Sequence, residues 1–216
     1  MDFGNRIDKV NYEKLYNGRF KLLKKAYKKS NISEKEDFDK FKSENCYWLN
    51  DYAMFMAIKD RFNGQSFDKW AEDIKLRWEY SMEYYQNELK DEIEFYKFIQ
   101  YEFYRQWYKL KKYANENGIK IIGDIPIYVA YDSADVWAHP ELFQMDENGK
   151  PVAVAGCPPD GFSATGQLWG NPLYRWGYHK ETGYQWWISR LAYVFRLYDV
   201  VRIDHFRGFD EYFSIP

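Results

Sequence analysis

Apolar residues recur every three or four positions through much of the first half of the chain. The stripes consist of Trp70, Ile74 and Trp78, followed by Phe95, Ile99, Phe103, Trp107, Leu110 and Ala114. This spacing is typical of amphipathic helices that face a core. We therefore predict that residues 8–118 are mostly helical. The last helix should end at Asn117-Gly118, because glycine is favoured just after a helix C-terminus.

The character of the chain changes after residue 118. Residues 119–129 (IKIIGDIPIYV) are mainly apolar and β-branched, which indicates a buried strand. Gly123 and Pro126 restrict this strand, so its regular part should end near Asp124. The next stretch, 130–182, is rich in glycine and proline and is too long for an ordinary connection. Its aromatic and apolar content predicts an ordered, functional loop.

A helix is predicted over residues 185–197 and a second buried strand over residues 200–204 (VVRID). The order helix, strand, long loop, helix, strand is that of a βα repeat and predicts an α/β fold. In such folds, chemistry takes place at the carboxyl ends of the strands. Both predicted strands end in a carboxylate, Asp124 and Asp204, which is the strongest physical indication of a site.

Composition narrows the possible functions. The net charge of −2, from 31 basic and 33 acidic residues, gives no basic surface for nucleic acid. Aromatic residues make up 21% of the chain, with nine Trp and 21 Tyr. Aromatic rings stack on the flat faces of sugars as well as filling cores, so this content fits either a carbohydrate-binding protein or an aromatic-rich core.

Other patterns are missing from the sequence. No apolar run is long enough for a membrane span, and the first 20 residues have no secretory h-region. Cys46 and Cys157 form no CxxC pattern, which favours a reduced, cytoplasmic protein. His139, His179 and His205 lack metal-ligand spacing, so we expect no metal and no other cofactor.

The motif Arg202-Ile203-Asp204-His205 is the leading candidate for chemistry. Side chains alternate along a strand, so Arg202 and Asp204 should point to the same face. A neighbouring guanidinium favours the charged form of a carboxylate, and an ionised carboxylate can attack the anomeric carbon of a sugar. The alternative is a structural Arg-Asp pair. Asp124 could likewise bind a sugar hydroxyl or brace the site.

The segment 156–172 (GCPPDGFSATGQLWGNP) contains neither a phosphate-binding GxxxxGK[ST] loop nor the context of a dinucleotide site. Two prolines stiffen the positions of Asp160 and Phe162. Trp169 places a stacking ring two residues from the Asn171 amide. This combination suits sugar recognition, although an ordinary packed loop would also account for it.

Three stretches together resemble the amylomaltases, the 4-α-glucanotransferases of the α-amylase superfamily. Residues 123–143 (GDIPIYVAYDSADVWAHPELF) look like the strand-three region of that family, and 155–174 (AGCPPDGFSATGQLWGNPLY) look like its flexible acceptor-side loop. Residues 200–209 (VVRIDHFRGF) are similar to its nucleophile strand. The helical stretches 48–59 and 98–118 also match. The resemblance covers nearly the whole chain, as the middle of such an enzyme.

The resemblance implies part of a (β/α)8 TIM barrel with a helical insertion. Residues 1–118 would be mostly helical, and 119–216 would hold barrel strands three and four with the long loop, all in one continuous domain fragment. Because a full barrel needs about 250 residues or more, we expect the barrel to be incomplete in this chain. Another polypeptide or the remainder of a longer chain would then complete it.

The resemblance also implies roles for individual residues. Asp204 would be the catalytic nucleophile and Arg202 its support. The substrate-binding residues would be Asp124, His205, Trp169, Asn171, Pro159, Asp160 and Phe162. The chain departs from the family at Gly161, where tyrosine is common, and this affects the expected stacking of the acceptor. The family's acid/base Glu comes from the next barrel strand, so we expect it to be missing here.

The expected reaction is transfer of α-1,4-glucan segments between maltooligosaccharides by a retaining mechanism. The partners would be maltooligosaccharides and other α-1,4-glucans, with neither nucleic acid nor a membrane involved. Two alternatives remain open at this point. One is an α-glucan hydrolase that uses the same nucleophile, and the other is an inactive fragment that binds glucan.

Overall fold

The computed structural model describes residues 8–216. Helices dominate up to residue 116, as the apolar spacing predicts. They are α1 (Tyr12–Lys29), α2 (Glu36–Glu44), α3 (Cys46–Arg61), α4 (Glu72–Lys75), α5 (Glu79–Glu88) and α6 (Lys90–Glu116). Short 3-10 turns at Ile32–Glu34 and Phe67–Lys69 connect some of them. Helix α6 ends at the predicted place, with Asn117 as its C-cap.

The predicted stripe on α6 is only partly correct. Phe95 is buried as expected, but Phe103 and Leu110 are each more than half exposed. The buried face is instead formed by Ile93, Phe95, Tyr96, Phe98, Tyr101 and Tyr104. Tyrosines therefore take core positions that the apolar spacing assigned elsewhere, since the tyrosine ring buries a large area while its hydroxyl finds a polar partner. One example is the Tyr96 hydroxyl, which donates a 2.8 Å hydrogen bond to Asp60.

The spacing of Trp70, Ile74 and Trp78 does not mark one continuous helix. Trp70 follows a 3-10 turn, and only Glu72–Lys75 is helical. Arg77 has a left-handed backbone with φ of 57°, which ends the helix before Trp78. Trp70 and Ile74 are buried, whereas Trp78 is 45% exposed. The four-residue spacing therefore predicted burial correctly at two of the three positions.

Two strands form the parallel sheet that carries the candidate chemistry. They are β1 (Ile122–Pro126) and β4 (Val200–Asp204), and they pair in register, with Asp124 opposite Arg202 and Pro126 opposite Asp204. β4 has the predicted bounds. β1 continues past Asp124 to Pro126, which corrects the expected end. Proline is tolerated at the end of an edge strand, where its missing N–H does not interrupt the ladder.

The two faces of this sheet differ. Gly123 and Ile125 of β1 face inward and are buried, whereas Ile122 and Asp124 are exposed on the opposite face. The inward face packs against the end of α9 (Gln185–Leu197), a helix with the predicted bounds. Gly123 allows this packing, because a Cβ at that position would lie 2.1 Å from the ring of Tyr198. The polar residues therefore gather on the face that points away from the helices.

The stretch 130–182 contains more regular structure than the predicted loop. It includes α7 (Ala134–Ala138), a 3-10 turn at Pro140–Leu142, β2 (Val154–Cys157), β3 (Gln167–Pro172) and α8 (Trp176–Glu181). A second sheet has the strand order β3-β2-β5 and is antiparallel throughout, with β5 spanning Phe213–Ile215. The partner strand β5 lies about 60 residues further along the chain, so local sequence gave no signal for this pairing.

One hydrophobic core joins the helical region to the strands. It runs from Ile32 to Trp187 and includes Phe55 of α3 and Trp137 of α7, whose ring centroids are 5.8 Å apart. The Trp137 indole donates a 3.0 Å hydrogen bond to the Ile74 carbonyl. An ion pair between Lys59 and Asp132 makes a further link. Within residues 8–216, no helix is long and apolar enough to cross a membrane.

Candidate active site

Asp124, Arg202 and Asp204 come together at the carboxyl ends of β1 and β4. Arg202 donates two hydrogen bonds to Asp124, from Nε to Oδ1 at 3.0 Å and from Nη2 to Oδ2 at 2.7 Å. The same Nη2 lies 3.9 Å from Oδ1 of Asp204. Arg202 and Asp204 therefore share a face, as the strand alternation predicts. The closest partner of Arg202 is nevertheless Asp124, so the guanidinium lies between two carboxylates.

The electrostatics of the cluster favour an ionised Asp124. The hydrogen bonds from Arg202 lower the pKa of Asp124 below its ordinary value, and the same interaction raises the pKa of Arg202. The side chains of Asp124, Arg202 and Asp204 are 53%, 67% and 66% exposed. A ligand could therefore reach Asp204 directly. Among the described residues, Arg202 is the one cation that forms an ion pair with Asp204.

His205 and Trp169 form the aromatic side of the site. His205 follows β4 with φ of 53°, a left-handed conformation that is uncommon outside glycine and often found at functional sites. Its ring meets the ring of Trp169 edge-on, with centroids 5.0 Å apart and planes at 87°. The indole N–H of Trp169 donates to Oε1 of Gln167 at 2.8 Å. The second sheet thus brings Trp169 beside the residue that follows Asp204.

A hydrogen bond from Asn171 links β3 to the segment that follows β1. Nδ2 of Asn171 donates this 2.8 Å hydrogen bond to the carbonyl of Val129. The bond holds the Trp169 strand beside the segment that follows Asp124. In this conformation, the amide nitrogen of Asn171 therefore has a structural partner, and its predicted contact with sugar remains a prediction.

Pro159, Asp160 and Phe162 lie in the turn between β2 and β3. Oδ1 of Asp160 accepts hydrogen bonds from the backbone N–H groups of Ser163 at 2.8 Å and Phe162 at 2.9 Å. These bonds lower the pKa of Asp160. Phe162 is 99% exposed. No hydrogen bond, ion pair or ring contact joins these three residues to Asp204 within the part of the chain that the structure describes.

Three further residues support the site and were not predicted from the sequence. The Tyr128 ring lies beside both the Trp169 and the His205 rings, at centroid distances of 6.3 and 6.4 Å, and its buried hydroxyl has no hydrogen-bond partner in the described chain. The Tyr174 hydroxyl donates a 2.7 Å bond to the Ile127 carbonyl. Arg190 donates to the carbonyls of Ile127 at 3.1 Å and Pro126 at 2.8 Å. Tyr128 could have been predicted as a site residue from its position two residues past the end of β1.

The described residues contain no group of three or more His, Cys, Asp and Glu side chains that could hold a metal ion. The ionisable side chains at the strand ends are instead arranged around Arg202. Parallel strands preceded by helices, with carboxylates at their carboxyl ends, are the arrangement of part of a (β/α)8 barrel. In that class of fold, enzyme sites lie at the strand ends.

The sequence places the chain more narrowly within that class. The model of the 4-alpha-glucanotransferase family matches residues 2–216, and the chain belongs to this family. It is 50% identical over 215 residues to a 4-alpha-glucanotransferase of Clostridium butyricum, and 49% identical over 218 residues to one of Streptococcus pneumoniae. These alignments cover 99% and 100% of this chain.

A solved structure shows the same fold. The amylomaltase from Streptococcus agalactiae in complex with acarbose is 44% identical and superposes with a TM-score of 0.93 over 100% of this chain. The match covers 44% of that protein. This chain likewise spans 44% and 43% of the length of the Clostridium and Streptococcus pneumoniae relatives. The expected partial barrel and family are thereby confirmed, while the roles of individual residues are still predictions.

Proposed function

We propose that this chain carries the nucleophile region of a retaining 4-α-glucanotransferase that acts on α-1,4-glucans. The observation that carries the proposal is the cluster at the strand ends, where Arg202 is hydrogen-bonded to Asp124 and lies 3.9 Å from Asp204, beside the His205–Trp169 pair. Family membership and the acarbose complex of the Streptococcus agalactiae relative support the same substrate class.

In the proposed reaction, an oxygen of Asp204 attacks the anomeric carbon of the donor sugar. A C–O bond to the enzyme forms as the glycosidic C–O bond breaks, and the leaving oxygen takes a proton from a carboxylic acid. The 4-hydroxyl of a second glucan then displaces Asp204 and gives up its proton to the same group. Two inversions at the anomeric carbon retain the α-configuration.

Each neighbouring residue has a role in this proposal. Arg202 pairs with Asp204 at 3.9 Å and holds Asp124 in place through two hydrogen bonds. Asp124 and His205 bind hydroxyl groups of the donor sugar, and Trp169 stacks against a sugar face with Asn171 beside it. The β2–β3 turn, with Pro159, Asp160 and Phe162, lies on the acceptor side. A fully exposed phenyl ring at Phe162 is suited to stacking against an incoming glucan.

The general acid is the one part of the mechanism for which residues 8–216 offer no candidate that is hydrogen-bonded or ion-paired to Asp204. Retaining enzymes place their two carboxyl groups about 5–5.5 Å apart. Arg202 is the described residue that pairs with Asp204. We propose that the acid comes from the part of the relatives' length that this chain does not span.

We also propose a cytoplasmic location for the protein. The two free cysteines, Cys46 and Cys157, fit a reducing compartment.

The products formed from maltotriose test the proposed reaction. The folded chain is incubated with maltotriose, and the products are separated by length, with Asp204→Asn as the matched control. Glucose together with longer oligosaccharides would support transfer, whereas shorter products alone would indicate hydrolysis. If the folded chain forms no product, the proposal that the general acid comes from elsewhere is supported. Activity retained in Asp204→Asn would contradict the assignment of the nucleophile.

A further inference from the structure

A pocket of about 250 Å³ lies between helices α3, α7 and α9. None of the residues proposed for the transfer reaction lines it. Helix α3 contributes positions 47, 48, 51 and 52, and α9 contributes 186, 189, 190, 193 and 194, so each helix presents one face. The small side chains of Ala134, Ala138 and Ser189 leave the space open where the three helices approach one another.

Aromatic rings make up much of the pocket lining, with Tyr47, Trp48, Trp186 and Tyr193 among them. Trp48 and Tyr47 both meet Tyr193, with centroid distances of 5.4 and 6.3 Å. The Trp186 indole, also in the lining, donates a 3.3 Å hydrogen bond to Oδ1 of Asp135. Such rings offer flat apolar faces, the surface on which the C–H side of a sugar ring stacks.

Polar atoms in the same lining are available to a ligand. Asp51 uses Oδ1 to accept a 2.7 Å hydrogen bond from Arg77, while its Oδ2 has no hydrogen-bond partner among the described residues. Within residues 8–216, the hydroxyl groups of Ser189 and Tyr47 also have no hydrogen-bond partner. His139 contacts Glu141 through Nδ1 at 3.2 Å, which leaves its Nε2 free in the described structure. Acceptors and donors are thus both present.

The charges at the pocket favour a neutral ligand. The two acidic side chains of the lining, Asp51 and Asp135, are balanced by two arginines. Arg77 pairs with Asp51, and Arg190 lies in the lining. Arg190 is also held by the carbonyls of Pro126 and Ile127 and lies over the Trp186 ring. A neutral ligand with several hydroxyls would meet flat rings, carboxylate oxygen and hydroxyls without bringing an unpaired charge into the pocket.

We propose that this pocket is a second carbohydrate-binding site, which holds one or two glucosyl units of an α-glucan apart from the candidate active site. The volume is below the roughly 300–1,000 Å³ of pockets for drug-sized ligands, so it suits a short stretch of sugar. The choice of glucan as the sugar rests on the proposed function, whereas the pocket and its chemistry do not. A second contact would keep a long glucan near the enzyme between successive transfers.

Indole N–H signals in NMR spectra can test the two sites separately. The Asp204→Asn chain, which cannot turn over substrate in the proposed mechanism, is titrated with maltose. Trp48 and Trp186 report on the pocket, and Trp169 reports on the candidate active site; each signal is assigned with a Trp→Phe variant. We expect the Trp48 and Trp186 signals to shift along one saturating curve.

Two substitutions at the same position form a matched pair. Ser189→Trp fills the pocket and should weaken the maltose response of Trp48 and Trp186 by at least about tenfold, because the side chain occupies the ligand's space. Ser189→Ala keeps the shape and removes one hydroxyl, so it should change affinity by less than about threefold. Tyr47→Ala, at a 49% exposed rim position, provides a second test if Ser189→Trp does not fold.

Two results would overturn the proposal. One is the absence of any shift at Trp48 and Trp186 at maltose concentrations that shift Trp169. The other is a shift at these two residues that Ser189→Trp leaves unchanged. A response of Trp48 and Trp186 without a response of Trp169 would support the second site while counting against the proposed donor site. The two proposals can therefore fail independently.

Discussion

At the scale of single residues, the unequal sharing of Arg202 by two carboxylates is the main electrostatic feature of the candidate site. Asp124 receives both strong hydrogen bonds, at 2.7 and 3.0 Å, and Asp204 is left with a 3.9 Å ion pair. Asp204 therefore has lone pairs available for attack, while Asp124 fixes the guanidinium. This division fits a nucleophile beside a bracing acid better than two equivalent ligands.

A titration of Asp124 tests this division. Arg202→Lys keeps the positive charge but loses the bidentate hydrogen bonding to Asp124, and Arg202→Met loses both the charge and the hydrogen bonds. We expect the pKa of Asp124 to rise toward its ordinary value of about 3.9 in Arg202→Lys and to reach it in Arg202→Met. Carbon-13 NMR of the carboxyl groups measures the change. An unchanged titration in Arg202→Met would show that the hydrogen bonds do not set this pKa.

The same interaction gives a pH dependence of stability. Because folding lowers the pKa of Asp124, the stabilisation is present above the unfolded pKa and is lost as pH falls through the folded pKa. The free energy of unfolding should therefore differ most between the natural chain and Arg202→Met near neutral pH. The difference should shrink below about pH 4. Urea denaturation at several pH values measures the difference in free energy of unfolding. A difference that increases at acidic pH would contradict the predicted direction.

At the scale of elements, the helices and strands with a local sequence signal were the ones that could be predicted. The bounds of β4 and α9 follow from continuous apolar patterns in short segments and agree with the structure. The β2–β3–β5 sheet was missed, because Gly156 and the register shift beside it interrupt the alternation and β5 is distant in sequence. The joining of Trp169 to His205 depends on that sheet, so this part of the site could be expected only from the family resemblance.

Two glycines in the β2–β3 turn make a prediction about this element. Gly166 has φ of 72°, and a Cβ there would lie 2.5 Å from the Cys157 carbonyl oxygen. Gly161 has open space around the position of a Cβ and needs no left-handed backbone. Gly166→Ala should therefore destabilise the chain by more than about 1 kcal/mol. Gly161→Ala should stabilise it by about 0.4–1 kcal/mol, because it restricts the unfolded chain.

Thermal unfolding of the two variants side by side measures these effects. The same open space at Gly161 should accept the tyrosine that is common in the family, so Gly161→Tyr should fold normally. A loss of stability in Gly161→Ala as large as that in Gly166→Ala would show that the turn has a different conformation.

At the scale of the whole molecule, the core crosses the boundary at residue 118 between the helical region and the strands. Phe55 of α3 is 3% exposed and contacts Trp70 and Trp137, at centroid distances of 5.4 and 5.8 Å. Because these contacts join both regions, we predict that the chain unfolds in a single transition. Far-ultraviolet circular dichroism and tryptophan fluorescence should give the same urea midpoint.

Substitution of Phe55 tests this coupling. Phe55→Ala leaves a cavity in the shared core and should lower the free energy of unfolding by about 3–5 kcal/mol, with both probes shifted equally. Phe103→Ala removes the same ring at a 53% exposed position and should cost less than about 1 kcal/mol. Two separate transitions in Phe55→Ala would indicate that the regions are independent domains.

Trapping the covalent intermediate tests most directly whether Asp204 is the nucleophile. Fluoride leaves an anomeric carbon without needing a proton from the enzyme. α-Maltosyl fluoride therefore bypasses the general acid, which we propose to lie in the part of the relatives' length that this chain does not span. Intact-protein mass spectrometry after rapid quenching in acid should show one added maltosyl group, and peptide mapping should locate it at Asp204. The adduct should be absent from Asp204→Asn. A folded chain that forms no adduct, or an adduct that persists in Asp204→Asn, would contradict the assignment of Asp204 as the nucleophile.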